Sequence, residues 1–169
     1  QMEYEGSLEI PEKMYERVIH CKTACLFGAM TETAALLAGR PAAEQKKYRM
    51  FGERLGRYFQ IRDDFIDYFQ SAGKSGKKEM QDFERGLVTW PVILLRAKGR
   101  AVKRELARIW KSRKTSTGAM LSLIEKHRIE SEARGILRHE LLSMISFVDA
   151  HPQSSYRKTM TSTLRTLEV

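Results

Sequence analysis

Cysteine is scarce in this 169-residue chain, where Cys21 and Cys25 are the only two. A disulfide framework needs more partners, and a zinc site needs more ligands than two thiols and the neighbouring His20 provide. The pair reads as buried thiols in a reducing compartment. Long apolar runs are missing as well. The longest, such as the stretch from Leu87 to Leu95, are interrupted by polar residues and fall short of the ~20 residues that span a bilayer. No basic segment followed by an apolar run opens the chain at Gln1, so a signal peptide is not expected and the cytoplasm is the expected location. Strand signals are absent too: no segment alternates apolar and polar residues between hairpin turns, and no repeat or low-complexity tract is present.

What is present is a helical period. From Pro11 to Leu37 the residues Met14, Val18, Cys21, Cys25, Phe27, Met30 and Ala34 recur at steps of three and four. Gly39 and Pro41 end that helix. A second run, from Ala42 to about Tyr68, places Tyr48, Phe51, Leu55, Phe59 and Ile66 on one side, with Gly52 and Gly56 one turn apart where another helix can approach closely. Residues 69 to 88 lose the period and carry Ser71, Gly73, Ser75 and Gly76, which predicts a loop. Thr89-Trp90-Pro91 then reads as a helix start, with Thr89 as the N-cap. Further helices fit roughly 99–112, 116–127, 130–150 and 153–167. The fold class is all-α, and 42% apolar residues in a chain of this length suffice for one ordinary core.

Acidic charge is thin in the second part of the chain. Residues 1–70 hold 10 basic and 11 acidic side chains, whereas residues 71–169 hold 20 and 10. Between Arg96 and Lys114 nine Lys or Arg stand against the single Glu105, beside an apolar stripe of Val102, Leu106 and Ile109. Such a stretch is either a solvated helix face or a surface for anions. No nucleic-acid-binding motif accompanies it, so no nucleic-acid partner is expected.

The chemistry-bearing stretch is Phe59-Gln60-Ile61-Arg62-Asp63-Asp64-Phe65-Ile66-Asp67. On a helix Asp63 and Asp67 are one turn apart and project from the same face, with Asp64 beside them. Like charges at this spacing repel, and a helix C-terminus disfavours anions, so the cluster points to a compensating cation. Oxygen-only ligands select hard Mg²⁺ or Ca²⁺, and Mg²⁺ held by few carboxylates bridges to substrate phosphates. Lys22-Thr23 precede the cluster by one helix, and Gly76-Lys77 and Asp82 follow it, so cations suited to diphosphate oxygens accompany the carboxylates.

Taken in order, Lys22-Thr23-Ala24, the Phe59 to Asp67 stretch, Gly76-Lys77, Asp82, Gly86 and Thr89-Trp90-Pro91 resemble the motifs of the trans-isoprenyl diphosphate synthases. Farnesyl and geranylgeranyl diphosphate synthases belong to that family. The resemblance implies an all-α bundle of the isoprenoid synthase type, of which residues 1–169 form the C-terminal part of a single domain. It implies an Mg²⁺-dependent prenyltransferase that condenses an allylic diphosphate with isopentenyl diphosphate, acting as a homodimer. The implied metal residues are Asp63, Asp64 and Asp67, with Asp64 able to pair with a neighbouring cation instead. The implied catalytic residues are Lys22, Thr23, Gln60 and Lys77, and these with Phe59 line the substrate site.

Two departures stand out. The family has a lysine immediately after the position of Gly86, where this chain has Leu87, so Arg85 is the candidate substitute. The family's first aspartate-rich motif has no counterpart here, because Glu3, Glu5, Glu9, Glu12 and Glu16 form no second DDxxD. The resemblance is therefore to about half of an enzyme. Its missing N-terminal half is an expected partner, and the isolated chain is expected to be inactive. The rival readings are a terpene cyclase, a non-catalytic regulatory subunit of a prenyl synthase, and an anion-surface binder using the basic 96–114 face.

Overall fold

The expected helical period is realised along the chain. A computed structural model describes residues 5–69 and 80–169. It contains α1 (Glu12–Ile19), a π-helical turn (His20–Ala24), α2 (Cys25–Leu37), α3 (Ala42–Phe69), α4 (Gln81–Arg85), α5 (Trp90–Ala97), α6 (Arg100–Lys111), α7 (Thr117–Lys126), α8 (Ile129–Asp149) and α9 (Ser155–Arg165). Among the described residues there is no strand, and none of their helices is long and apolar enough to cross a membrane.

The single helix expected from Pro11 to Leu37 is divided by the π-helical turn. An extra residue in one turn rotates the helix on one side of it relative to the helix on the other, and the apolar pattern loses its register there. Cys21 is exposed and Cys25 half-buried, with the Cys25 thiol directed at the Cys21 carbonyl oxygen at 3.4 Å; Cys21 lies on the side of the helix away from the buried Tyr15 and Ile19. The expectation of buried thiols is corrected on this point.

The chain divides into two compact units. One comprises the residues up to Ile19 together with Ile61–Ala133. Its core gathers Tyr68, Met80, Phe83, Val92, Leu95, Leu106, Trp110, Met120 and Ile129. The Phe83 and Trp110 rings meet edge to face at 5.6 Å, a geometry that adds to their apolar burial. The N-terminal segment is tied across this core by polar ends: the Trp110 indole N–H donates to the Gly6 carbonyl at 3.0 Å, and Gly6 N–H donates to the Gly86 carbonyl at 2.8 Å. Gly86 closes α4 in the left-handed conformation, φ +76°, and a Cβ there would lie 2.9 Å from Gly6 Cα. Both facts require glycine.

The second unit comprises His20–Gln60 and Arg134–Val169. Its aromatic centre is Phe51 stacked on Phe147 at 4.8 Å, with Tyr48 donating to or accepting from His151 Nε2 at 2.9 Å. The Tyr58 hydroxyl donates to the Leu167 carbonyl at 2.8 Å and so fastens the C-terminal residues. Ser154 caps α9 by accepting from Arg157 N–H at 3.1 Å. Within this unit α2 lies directly against α3: a Cβ on Gly56 would sit 2.7 Å from Ala24 Cα, and one on Gly52 would collide with the Phe27 carbonyl and the Thr31 hydroxyl. The close approach expected of the glycine pair is present. Gly52→Ala should therefore destabilise the chain by about 1–3 kcal/mol through overpacking. Gly135→Ala, in α8 where nothing lies within 4 Å of the new Cβ, should stabilise it by about 0.5–1 kcal/mol. Denaturant midpoints of the two variants check this, and shifts of the same sign would contradict the packing described.

Candidate functional site

The three carboxylates of the acidic turn differ in surroundings because the last turns of α3 are buried on one side only. Ile61, Phe65 and Tyr68 enter the core, and this fixes the rotation of the helix. Asp63 is left exposed, Asp67 half-buried and Asp64 buried with 4% exposure.

Asp64 holds the surrounding segments together. Its Oδ2 accepts the Tyr15 hydroxyl of α1 at 2.8 Å and the Trp90 backbone N–H at 3.1 Å. Trp90 opens α5, so the carboxylate satisfies an N–H that the helix itself cannot. Thr89 does occupy the N-cap position, with extended backbone, but its side chain makes no capping bond. The expected Thr89 cap is replaced by a carboxylate from another helix, whose charge suits the helix N-terminus better than a hydroxyl does. A carboxylate this enclosed, with one oxygen already engaged twice, serves the architecture.

Asp67 is also drawn into local structure. Its Oδ2 accepts the Asp82 N–H at 3.2 Å, and its carbonyl oxygen accepts the Met80 N–H at 2.8 Å. Met80 is fully buried in a left-handed conformation, φ +57°, a strained geometry for a residue with a side chain. Burial pushes the Asp67 carboxyl up to about 6, and the charges of Asp82 and Asp63 push the same way, against the backbone N–H groups of Asp82 and Gln81. Burial is thus the main cause, with the neighbouring carboxylates of Asp82 and Asp63 adding to it. Beside them Tyr68 is buried, its hydroxyl next to that of Thr89 without a well-formed hydrogen bond. Burial raises its phenol, so it stays protonated.

In the other unit the structure joins Thr23 and Gln60: the Thr23 hydroxyl donates to Gln60 Oε1 at 3.1 Å, with Gln60 buried. Phe59, 44% exposed, stacks on Phe27 at 6.1 Å. Lys22 is exposed on the π-helical turn. Lys77 and Gly76 lie outside the described residues. Tyr15 is the one site residue that the sequence did not reveal. Its signal is faint, a tyrosine on the same face of α1 as the buried Ile19.

The family model for polyprenyl synthetases matches residues 1–127, a span that includes every one of these positions. The chain belongs to the polyprenyl synthetase family. It is 28% identical over 157 residues to an octaprenyl diphosphate synthase of Haemophilus influenzae, covering 91% of this chain and 48% of that protein. It is 29% identical over 171 residues to an all-trans-nonaprenyl-diphosphate synthase (geranyl-diphosphate specific) of Rhodobacter capsulatus, covering 98% of this chain and 51% of that one. The crystal structure of a decaprenyl diphosphate synthase from Rhodobacter capsulatus superposes with a TM-score of 0.81 at 26% identity, over 99% of this chain and 53% of that one. The chain spans about half the length of the curated relatives it matches.

Membership of the polyprenyl synthetase family implies a divalent cation. Among the described residues no three His, Cys, Asp or Glu side chains are grouped so as to hold a metal ion by themselves. The donor set nevertheless suits a hard cation: Asp63 and Asp67 offer only oxygen, the carboxylates crowd one another, and an ion with so few protein ligands completes its shell with water and phosphate. Without a cation the raised Asp67 opposes folding. The native state takes up its proton before the unfolded chain does, so this group's contribution worsens as pH rises from about 4 to about 6. Asp67→Asn should then raise the melting temperature of the metal-free chain by roughly 2–4 °C above pH 7, allowing for solvent screening of a half-exposed group. The gain should vanish near pH 4. A melting series across this range checks it, and a gain independent of pH, or a loss above pH 7, would contradict the assignment.

Proposed function

We propose that this chain is the C-terminal portion of one isoprenoid synthase domain in a trans-prenyltransferase, which joins an allylic diphosphate to isopentenyl diphosphate. The observation that carries the reading is the family match over residues 1–127, which contains Lys22-Thr23, Gln60 and the whole acidic turn. The names of the relatives, octaprenyl and nonaprenyl diphosphate synthases, support the same chemistry. A homodimer accords with the apolar residues left exposed along one stripe of α2, namely Leu26, Met30 and Leu37.

In this reading Asp63 and Asp67 hold Mg²⁺, and Asp64 keeps the turn in place through Tyr15 and Trp90. The bound ion would supply positive charge against the departing diphosphate. Lys22 and Lys77 contribute ammonium groups to the non-bridging phosphate oxygens, as compact point charges on long stems. Thr23, oriented by its bond to Gln60, and Phe59 border the allylic group. Their work is to position the carbon chain and to keep water from the allylic cation once the C–O bond breaks. The double bond of isopentenyl diphosphate is then the nucleophile that remains.

A radiolabelled condensation assay tests the reading. The longer protein that includes an upstream aspartate-rich half should turn over, run as a dimer in light scattering, and lose about 10²–10³ in rate on Asp63→Ala, the usual loss for one preorganised charge contact. Residues 1–169 alone should not turn over. Robust condensation by the isolated chain, or an unaffected Asp63→Ala variant, would show that the metal ligands have been assigned wrongly.

A further inference from the structure

The basic stretch after α5 has no part in the chemistry above, and the structure shows how it is disposed. Val102, Leu106 and Trp110 turn the apolar side of α6 into the core, with Trp110 only 3% exposed. The opposite side carries Arg100, Lys103, Arg104, Arg108 and Lys111, all exposed. At 3.6 residues per turn these five fall within an arc of about 140°, and exposed Lys114 comes directly after the helix. Other cations of the stretch are occupied elsewhere: Lys98 pairs with Glu132 at 2.6 Å, and Arg96 donates to the Ile10 carbonyl. The five on the arc make no ion pair among the described residues. Glu105, the helix's single acid, lies off the arc and is paired with Lys126 at 3.2 Å. The result is a strip of one sign, without counter-charge, on a helix that its buried side keeps from moving away.

We propose that this strip docks the protein on a bilayer surface rich in anionic phospholipid. A polyanion is the complement of such a face, and adsorbed lipid headgroups, being laterally mobile, can match cations spaced along a convex helix. Because the apolar side of α6 is already buried, attachment is electrostatic and lies in the headgroup plane, without apolar insertion. The adjoining groove between α6 and α7, about 520 Å³, is bordered by Arg108, Ser112 and Ser116 and by the paired Glu105 and Lys126, so the unopposed charge lies on the strip and not in the groove. No aromatic side chain is exposed on the strip for bases to stack on, which disfavours single-stranded nucleic acid. The choice of a lipid surface rests on the proposed function, since the prenyl tail of the product is apolar and suits a bilayer.

The test is co-sedimentation of the full chain with sucrose-loaded vesicles of phosphatidylcholine containing phosphatidylglycerol, against vesicles of phosphatidylcholine alone, without substrate or metal. Binding should require the anionic lipid and weaken with salt. Arg100→Gln/Arg104→Gln/Lys111→Gln should lose about fivefold in partitioning for each cation removed, roughly a hundredfold in all. Lys46→Gln/Lys47→Gln/Lys158→Gln, with the same change in net charge on exposed positions elsewhere, should bind like the parent. All three positions of each variant are exposed, and circular dichroism checks that helicity is kept. Equal loss in both variants, equal binding to neutral vesicles, or binding to duplex DNA but not to anionic vesicles would overturn the proposal. Because the assay contains no substrate, its outcome stands whether or not condensation is observed.

Discussion

The buried carboxylate of Asp64 is the interaction on which the unit around it depends. A carboxyl group with 4% exposure needs donors in place of the lost water, and the Tyr15 hydroxyl from α1 and the first N–H of α5 are two of them. One side chain of α3 thereby fixes the position of two other helices. The rotation of its own helix, set by the burial of Ile61, Phe65 and Tyr68, turns Asp64 inward, leaves Asp63 outward and puts Asp67 at the border. The chemistry proposed for the outer pair depends on the burial of the inner member.

The opposite side of this arrangement is electrostatic tension. Asp67 is pressed by burial and by Asp82 and Asp63, while the backbone N–H groups at the start of α4 relieve it only in part. The chain reaches those N–H groups through Met80, a buried methionine in a left-handed conformation. Strain and unrelieved repulsion next to each other are expected where a fold is shaped for a ligand and not for its own stability alone. Asp67 therefore holds the beginning of α4, and in the proposed function it also offers oxygen to a cation.

Much of the fold was legible because apolar residues at steps of three and four line one side of a helix and would scatter over both faces of a strand. The long α3 was expected to end at about Tyr68 and ends at Phe69, and the helices after Thr89 lie within two residues of their expected limits. The π-helical turn was not legible, since one extra residue leaves composition and period almost unchanged. At the site the acidic turn could be read from spacing, but its division into a buried inner carboxylate and two outer ones could not. The Tyr15 hydroxyl is 49 residues from Asp64 in sequence, and the Trp90 N–H belongs to the backbone and leaves no residue signature. The Thr89 cap failed for the same reason: a local rule gave way to a stronger acceptor brought from another helix.

The division of labour among the three aspartates is the central claim, and carboxyl-carbon NMR reports on it directly. With aspartate labelled at the side-chain carboxyl carbon, Mg²⁺ is titrated in the presence of pyrophosphate and each resonance is assigned by Asp→Asn substitution. The account predicts that the Asp63 and Asp67 signals move with Mg²⁺ while that of Asp64 stays in place. A shift largest at Asp64, or no shift at Asp63 and Asp67, would contradict it.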